Sequence, residues 1–342
     1  IEPTFGKKVA TIIDGLTKIS GVVGKSQSIQ AENFRKILLT LADDVRVILI
    51  KIADRLHNMR TLDSVPRQNQ LKIASETMIL FGPLAHRLGL YSIKTELEDF
   101  ALKYTEPKIY KEIASKLQSS SGQRKRFIRK FINPVQKRLD QNGLKYDIKS
   151  RPKSVYSIYQ KMKQQNIPFE EVYDIFAIRI VLDTPPEREK EDCWRVYSII
   201  TDFYKPNPNR LRDWISTPKG NGYESLHTTV MGPNGKWVEV QIRSNRMHEI
   251  AEKGYAAHWK YKEGGYVDAG LEDWIRKVRE LLENAESNAI DFFDDFRLNL
   301  FADEVFLFTP KGELITLPVN STALDFAFEI HTEVGNQCLG AK

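Results

Sequence analysis

The 342-residue chain is 41% apolar and 28% charged, the balance of soluble globular protein, and it is long enough for two or three domains that each bury a core. Its 51 lysines and arginines outnumber its 45 aspartates and glutamates by six, a modest surplus whose meaning depends on where the cations cluster. Cys193 and Cys338 stand far apart with no partner at metal-ligand spacing, which excludes a disulfide framework and points to a reducing compartment. Apolar runs such as Val47 to Ile50 fall far short of the roughly 20 residues of a membrane helix, and no targeting segment is visible. A cytoplasmic protein without a membrane partner is expected, although the sequence opens at Ile1 and a processed start stays open.

From Lys7 to about Leu117 apolar residues recur at helical spacing, with Pro83 and Gly89 expected to separate helices, so this part reads as all-α. Within it, KIADRLHNMRT at 51–61 puts Asp54, His57, Asn58 and Thr61 on one helical face and Ile52, Leu56 and Met59 on another. Such a polar stripe suits metal and substrate binding or plain exposure to water equally well. A polar break at Ser119 to Gly122 leads into a basic helical stretch, Gln123 to Gln141, closed by Asn142-Gly143, a linker or packing helix.

From Tyr146 to about Trp259 helices mix with short alternating strands, and turn signals at Pro206 to Pro208, Asn221-Gly222 and Asn234-Gly235 predict a separate α/β or α+β domain. Leu271 to Asn288 reads as a charged amphipathic helix. EVFLFTPKGELITLP at 304–318 then predicts two strands around a Pro-Lys-Gly turn, followed by the helical ALDFAFEIHTEVG. The sequence ends before that last small domain is expected to close.

The middle segment carries the chemistry. WVEVQIRS at 237–244 alternates as a strand, with Trp237, Glu239, Gln241 and Arg243 on a polar face and Val238, Val240 and Ile242 on a core face. Phosphoryl-transfer sites need carboxylates for a divalent metal, cations for phosphates and a group that orients an attacking hydroxyl. Asp174, in VYDIFAIRIVLD, and Glu239 are the candidate carboxylates, each on a predicted strand. Period two sets Asp174 and Arg179 on opposite faces of a regular strand, so Asp174 is expected at the strand's start or at an irregularity. RPKSVYSIYQKMK at 151–163 holds four cations and no carboxylate. There Arg151 suits purine stacking, Lys153 and Lys161 suit phosphates, and Tyr156 and Tyr159 fit core packing better than a ligand. Lys219-Gly220-Asn221-Gly222-Tyr223 reads as a turn that brings backbone close to a ligand beneath a base-stacking Tyr223, or as a hairpin with a packed tyrosine. His227 suits either a phosphate donor or a structural histidine.

In this order the motifs resemble the synthetase domain of the long RelA/SpoT homologues, the stringent-response enzymes, over essentially the whole chain. The resemblance implies a fold related to polymerase-β-type nucleotidyltransferases and transfer of pyrophosphate from ATP to the 3′-hydroxyl of GDP or GTP, giving (p)ppGpp and AMP. By motif, Asp174 in YDIFAIR is similar to the Mg²⁺ ligand, and Glu239 in VEVQIR to the group that activates the 3′-hydroxyl and shares the metal. Tyr223 in NGYES resembles the guanine-stacking tyrosine, and Arg151 and Arg179 the adenine-flanking arginines. Lys153, Lys161, Lys219, Asn221, His227 and Gln241 match phosphate, ribose or acceptor contacts, with Arg210, Arg212 and Arg243 added to the nucleotide-binding set. Ser150 stands where a glycine usually precedes RPK. Arg210-Leu211-Arg212-Asp213 is similar to the basic form of a motif that goes with bifunctional members.

KIADRLHNMRT in turn resembles the second signature of an HD-type hydrolase that removes the 3′-pyrophosphate of (p)ppGpp with Mn²⁺. Asp54 matches a metal ligand, and Asn58 and Thr61 match substrate contacts. The family's other ligands come from helices preceding Ile1, so the sequence as it stands is expected to lack hydrolase activity. The implied architecture is multidomain: an all-α HD-type remnant over 1–117, a linker helix region over 118–145 and an α+β synthetase over 146–265. A connecting helix over 266–300 and the start of a β-grasp-like TGS domain over 301–342 follow. Alternatives are a hydrolase-biased member with a weak synthetase, or a module that binds ribosome or tRNA through TGS.

Overall fold

The computed structural model describes residues 1–20, 45–172, 175–219, 222–254, 304–309, 314–319 and 321–340. The chain divides into two compact units, residues 44–277 and residues 1–43 with 278–342. No described helix is long and apolar enough to cross a membrane.

The larger unit opens with helices α1 (Val45–Arg60), α2 (Arg67–Glu76), α3 (Gly82–Arg87), α4 (Tyr91–Thr105) and α5 (Pro107–Ser119). In α1 the expected faces are found: Ile52, Leu56 and Met59 are buried, while Asp54, His57, Asn58 and Thr61 are exposed. Gly89, at φ 68°, separates α3 from α4 as expected. Pro83 does not separate helices. The π-helical turn Thr77–Phe81 widens the hydrogen-bond ladder ahead of it, Gly82 N–H donating to Thr77 O, so the chain stays helical from Arg67 to Arg87.

The basic stretch forms α6 (Ser121–Gln141) and ends at Gly143, φ 67°. It is a packing helix. Phe131, Val135 and Leu139 enter the core of the sheet layer, and the helix passes through Pro134 without losing that face. Strands β1 (Tyr146–Pro152), β2 (Phe176–Leu182), β3 (Arg212–Asp213), β4 (Leu226–Met231) and β5 (Trp237–Ser244) form one sheet in the order β1-β2-β5-β4-β3. Only the β2–β5 pair is parallel; the others are antiparallel. Asn234 (φ 61°) and Gly235 (φ 68°) make the β4–β5 turn, two successive left-handed residues of the kind that suit a hairpin's twist.

Helices α7 (Val155–Gln165), α8 (Glu189–Phe203) and α9 (Asn245–Lys253) complete the unit. One sheet face carries the core: Ile178, Ile180, Val238, Val240 and Ile242 pack with Val196 and Ile200 of α8 and the buried face of α6. A second cluster joins the helical part to α7. Leu102 and Ile113 meet Val155, Ile158 and Phe169, and Tyr156 and Tyr159 pack against them, the core role that suits these tyrosines. Asp99 of α4 also accepts the Tyr156 N–H at 2.8 Å, capping the start of α7.

In the other unit, residues Glu2–Phe5 and Lys7–Ser20 are helical. Glu304–Phe308 and Leu314–Pro318 pair antiparallel, followed by helices Ala323–Ile330, started by a Thr322/Asp325 capping box, and Thr332–Asn336. The Pro-Lys-Gly turn and the helix expected over Leu271 to Asn288 lie outside the described residues.

Candidate active site

Strand register gathers the polar candidates. Across the sheet Lys149 pairs with Arg179, Arg179 with Gln241, Gln241 with His227, and His227 with Arg212. The next row on the same face is Arg151, Ala177, Glu239 and Thr229. Side chains alternate along a strand, so those of Arg179, Gln241, His227 and Glu239 emerge opposite the Ile178 and Val240 core.

Glu239 sits amid this face with 20% of its side chain exposed, and Lys153 Nζ lies 3.7 Å from its Oε2. Gln241 Nε2 donates to Glu239 Oε1 at 2.9 Å, while Gln241 Oε1 accepts from Arg179 Nε at 3.3 Å. His227 Nδ1 is 3.9 Å from Glu239 Oε1, and its Nε2 is 2.8 Å from the Tyr223 hydroxyl. Burial pulls the imidazole down to about 4, overriding the raising effect of Glu239, and burial likewise pushes the Tyr223 phenol up. Near neutrality both are uncharged. With the imidazole proton on Nδ1, Tyr223 donates to Nε2 and the Nδ1 proton faces Glu239.

The other candidates fall in three groups. Lys161 is half-buried on α7, and Lys219 holds its ammonium 4.7 Å over the Trp214 ring, its charge still helping to depress His227. Arg210 and Arg212 are exposed, and Arg212 turns back to the Asn209 and Leu211 carbonyls at 3.0 and 2.9 Å, so neither joins the cluster around Glu239. Arg243, expected on the polar working face, is 1% exposed, because α9 packs on that end of the sheet and sets Glu252 Oε1 3.6 Å from its guanidinium. Asp174 and Asn221 lie outside the described residues, and only the backbone of Arg151 is described. In α1, Asp54 and Asn58 are exposed, and beyond its end Thr61 is too, the Thr61 hydroxyl donating to His57 O at 3.1 Å.

Several contributors were not singled out from the sequence. Glu252 of α9 accepts from Arg179 at 2.8 Å and so anchors that arginine. Tyr91, the first residue of α4, meets the Tyr223 ring edge-on at 5.3 Å, and His86 meets Tyr91 at the same distance. Arg246 grips Glu224, next to Tyr223, through two 2.8 Å bonds and Glu189 through bonds down to 2.7 Å. Ser244 Oγ donates to the same Glu189 at 2.6 Å. Tyr91 belongs to a stretch whose own pattern signals only a helix. Glu252 and Arg246 follow an informative strand and were open to notice as charges at its end.

A family profile described as "Region found in RelA / SpoT proteins" matches residues 150–266, an "HD domain" profile matches 1–91 and a "TGS domain" profile matches 305–342. The guanosine-3′,5′-bis(diphosphate) 3′-pyrophosphohydrolase of Aquifex aeolicus (strain VF5) is 46% identical, over 100% of this chain and 48% of that protein. The chain belongs to the RelA/SpoT family. Two further RelA/SpoT relatives are the GTP pyrophosphokinase of Myxococcus xanthus, 44% identical over 99% of this chain and 45% of its own length, and a third from Escherichia coli (strain K12). That third, the "Bifunctional (p)ppGpp synthase/hydrolase SpoT", is 40% identical over 100% of this chain and 49% of its length. The chain thus spans about half the length of the curated relatives it matches.

RelA/SpoT synthetase and HD domains generally depend on divalent metal ions. Among the described residues no three histidine, cysteine, aspartate or glutamate side chains gather as a metal site. For a hard cation on a nucleotide this is no obstacle, since such ions keep several waters and take one or two carboxylates plus phosphate oxygens. Glu239, flanked by a lysine rather than by further carboxylates, fits that donor set. Asp54 is not part of any such gathering among the described residues.

Proposed function

We propose that the chain is the catalytic region of a (p)ppGpp synthetase that transfers pyrophosphate from ATP to the 3′-hydroxyl of GDP or GTP. The observation that carries this is Glu239 at the centre of a polar sheet face, between Lys153 on one side and the His227–Tyr223 pair on the other. In the proposed reaction the acceptor 3′-oxygen bonds to the β-phosphorus of ATP as the bond from that phosphorus to the α,β-bridging oxygen breaks. AMP leaves, and the hydroxyl proton passes to Glu239. Tyr223 offers a ring to the guanine, Arg151 and Arg179 flank the adenine, and Lys153, Lys161, Lys219, Asn221, His227 and Gln241 orient phosphates and ribose. Arg210 and Arg212 are proposed to meet nucleotide from outside the cluster around Glu239, and Arg243 to act through Glu252, which also holds Arg179. Asp174 with Glu239 would hold Mg²⁺, which supplies charge neutralisation on the transferred group.

The domain boundaries proposed with this reading are 1–117, 118–145, 146–265, 266–300 and 301–342. The longer protein is proposed to hydrolyse (p)ppGpp as well, with Asp54 holding Mn²⁺ and Asn58 and Thr61 on the substrate side; each of the three is exposed. A cytoplasmic setting belongs to the same proposal, as does contact with ribosome or tRNA through the TGS region. The test is to incubate the chain, beside Asp174→Ala, with labelled ATP, GDP or GTP and Mg²⁺ and to separate products by thin-layer chromatography. Product with the unmutated chain alone supports the reading; bound nucleotides without product defeat it.

A further inference from the structure

The formal charge of the chain is not spread over its surface. Helix α6 holds seven cations, Arg124, Lys125, Arg126, Arg129, Lys130, Lys137 and Arg138, against Asp140 alone. Its net charge of +6 equals that of all 342 residues, and the remainder balances at 44 cations and 44 carboxylates. At about 100° per residue, Lys125, Arg129, Arg126, Lys137 and Lys130 fall within an arc of about 140°, and all five are exposed. Phe131, Val135 and Leu139 occupy the opposite side and are buried in the core. Arg124 is turned away, donating to Leu117 O and Ser120 Oγ.

Among the described residues none of the five makes an ion pair, whereas Lys94, Lys103, Lys116, Arg188 and Lys253 all do. Asp140, the one carboxylate of the helix, accepts instead from the Tyr146 hydroxyl at 2.7 Å. Lys125 with Arg129 and Arg126 with Lys130 are like-charge i,i+4 pairs, an arrangement that destabilises a helix by itself. Packing of the apolar face holds it in place.

We propose that this face of α6 binds the phosphate backbone of a nucleic-acid duplex. From Lys125 to Lys137 the cations extend about 18 Å along the helix, the length of about five base pairs of one strand. No aromatic side chain is exposed among them to stack on unpaired bases, which favours a duplex over a single strand. A lipid surface fits less well, because the apolar face that a membrane-bound amphipathic helix inserts is already buried in the core. Binding is expected to be indifferent to sequence.

The test measures polarisation of a fluorescein-labelled 20-base-pair RNA duplex, its single strand and anionic phosphatidylserine vesicles with the full chain from 50 to 200 mM salt. Five phosphate contacts predict a slope of log K against log salt near ~−4.5, or about 500-fold weaker duplex binding across that range. Arg129→Gln is expected to reduce the slope by about 0.9, and the five-fold glutamine variant to abolish binding with its circular dichroism and nucleotide turnover unchanged. Absence of duplex binding at 50 mM salt, equal binding by the five-fold variant, or binding to vesicles alone overturns the proposal. Because turnover is read separately, failure here leaves the synthetase reading untouched, and the reverse also holds.

Discussion

Replacing Glu239 with glutamine separates chemistry from folding, because the two costs differ in size. The amide keeps an oxygen that accepts from Gln241 Nε2, now at 2.9 Å, and removes only the negative charge. The charge lost faces Lys153 at 3.7 Å, with side chains 20% and 27% exposed. Coulomb attraction at that distance is about 4 kcal/mol at an effective dielectric of ~20, but desolvation and solvent screening leave partly exposed pairs worth about 0–1 kcal/mol. His227 responds in a known direction: losing the group that raises its pKa, it stays neutral. The fold is therefore expected to survive with a shift of about 1 kcal/mol or less. Loss of a general base costs ~10² to 10⁴ in rate, about 3 to 5 kcal/mol in the barrier. The assay is the initial rate of labelled ATP converted to ppGpp at saturating GDP, beside nucleotide dissociation constants and the thermal midpoint. A turnover within ten-fold of the unmutated chain, with folding intact, refutes the assignment of Glu239 as the proton acceptor.

Tyr91→Ala removes one edge-on aromatic pair with Tyr223, worth about 0.5–1.5 kcal/mol, so KM for GDP is expected to rise about two- to ten-fold with kcat little changed. Tyr91→Phe keeps the ring and is expected to behave as the unmutated chain, and an equal effect of both variants refutes the ring contact. Arg246→Ala strands the buried Glu189 and is expected to cost about 3–5 kcal/mol in urea unfolding, with Arg246→Lys losing less, because it keeps the charge but not the two-sided fork. The histidines predict acid sensitivity. Burial holds His227 and His248 near about 4 and His86 near about 3, below the ordinary 6.5, so the folded state binds fewer protons than the unfolded chain. Stability present above pH ~6.5 is therefore lost as pH falls toward the folded values, by about 2 kcal/mol at pH 5 for His227 alone. Urea midpoints at pH 7 and pH 5 for the chain and for His227→Gln measure that share, and equal pH shifts in both count against it.

What the sequence disclosed follows from the range of the forces that wrote it. Alternation in 237–244 fixed both faces of β5, since the pleat repeats every two residues, and Val238, Val240 and Ile242 are all fully buried. The same rule failed at Arg243, because period two says which way a side chain points and nothing of what packs above it; there α9 brings Glu252. The expectation that Asp174 stands at the start of a strand lies outside the described residues, and β2 is described from Phe176. Pro83 misled, because a breaker's effect depends on the ladder before it and a π-helical turn leaves no readable residue pattern. Neighbouring, parallel strands β2 and β5 were legible only as a possibility. Pairing is a long-range choice decided by the common core.

The most consequential unread feature is that the Tyr223 side of the site leans on the helical part. Tyr91 touches Tyr223 at the start of α4, and Asp99, two turns along, caps the helix that follows Lys153. At the far end of α9, Gly254 has φ 55°, and a Cβ there would lie 2.2 Å from Leu88 O. Only glycine permits that approach of α9 to the α3–α4 junction. These three contacts hold different parts of one face: Tyr223, the lysine-bearing loop and, through Glu252, Arg179. None uses a residue whose type announces nucleotide chemistry. A helical segment that reads in isolation as a separate body is in physical terms one wall of the sheet's polar site, and substitutions in α4 should be judged by their effect on Tyr223 before any effect on the stripe of α1.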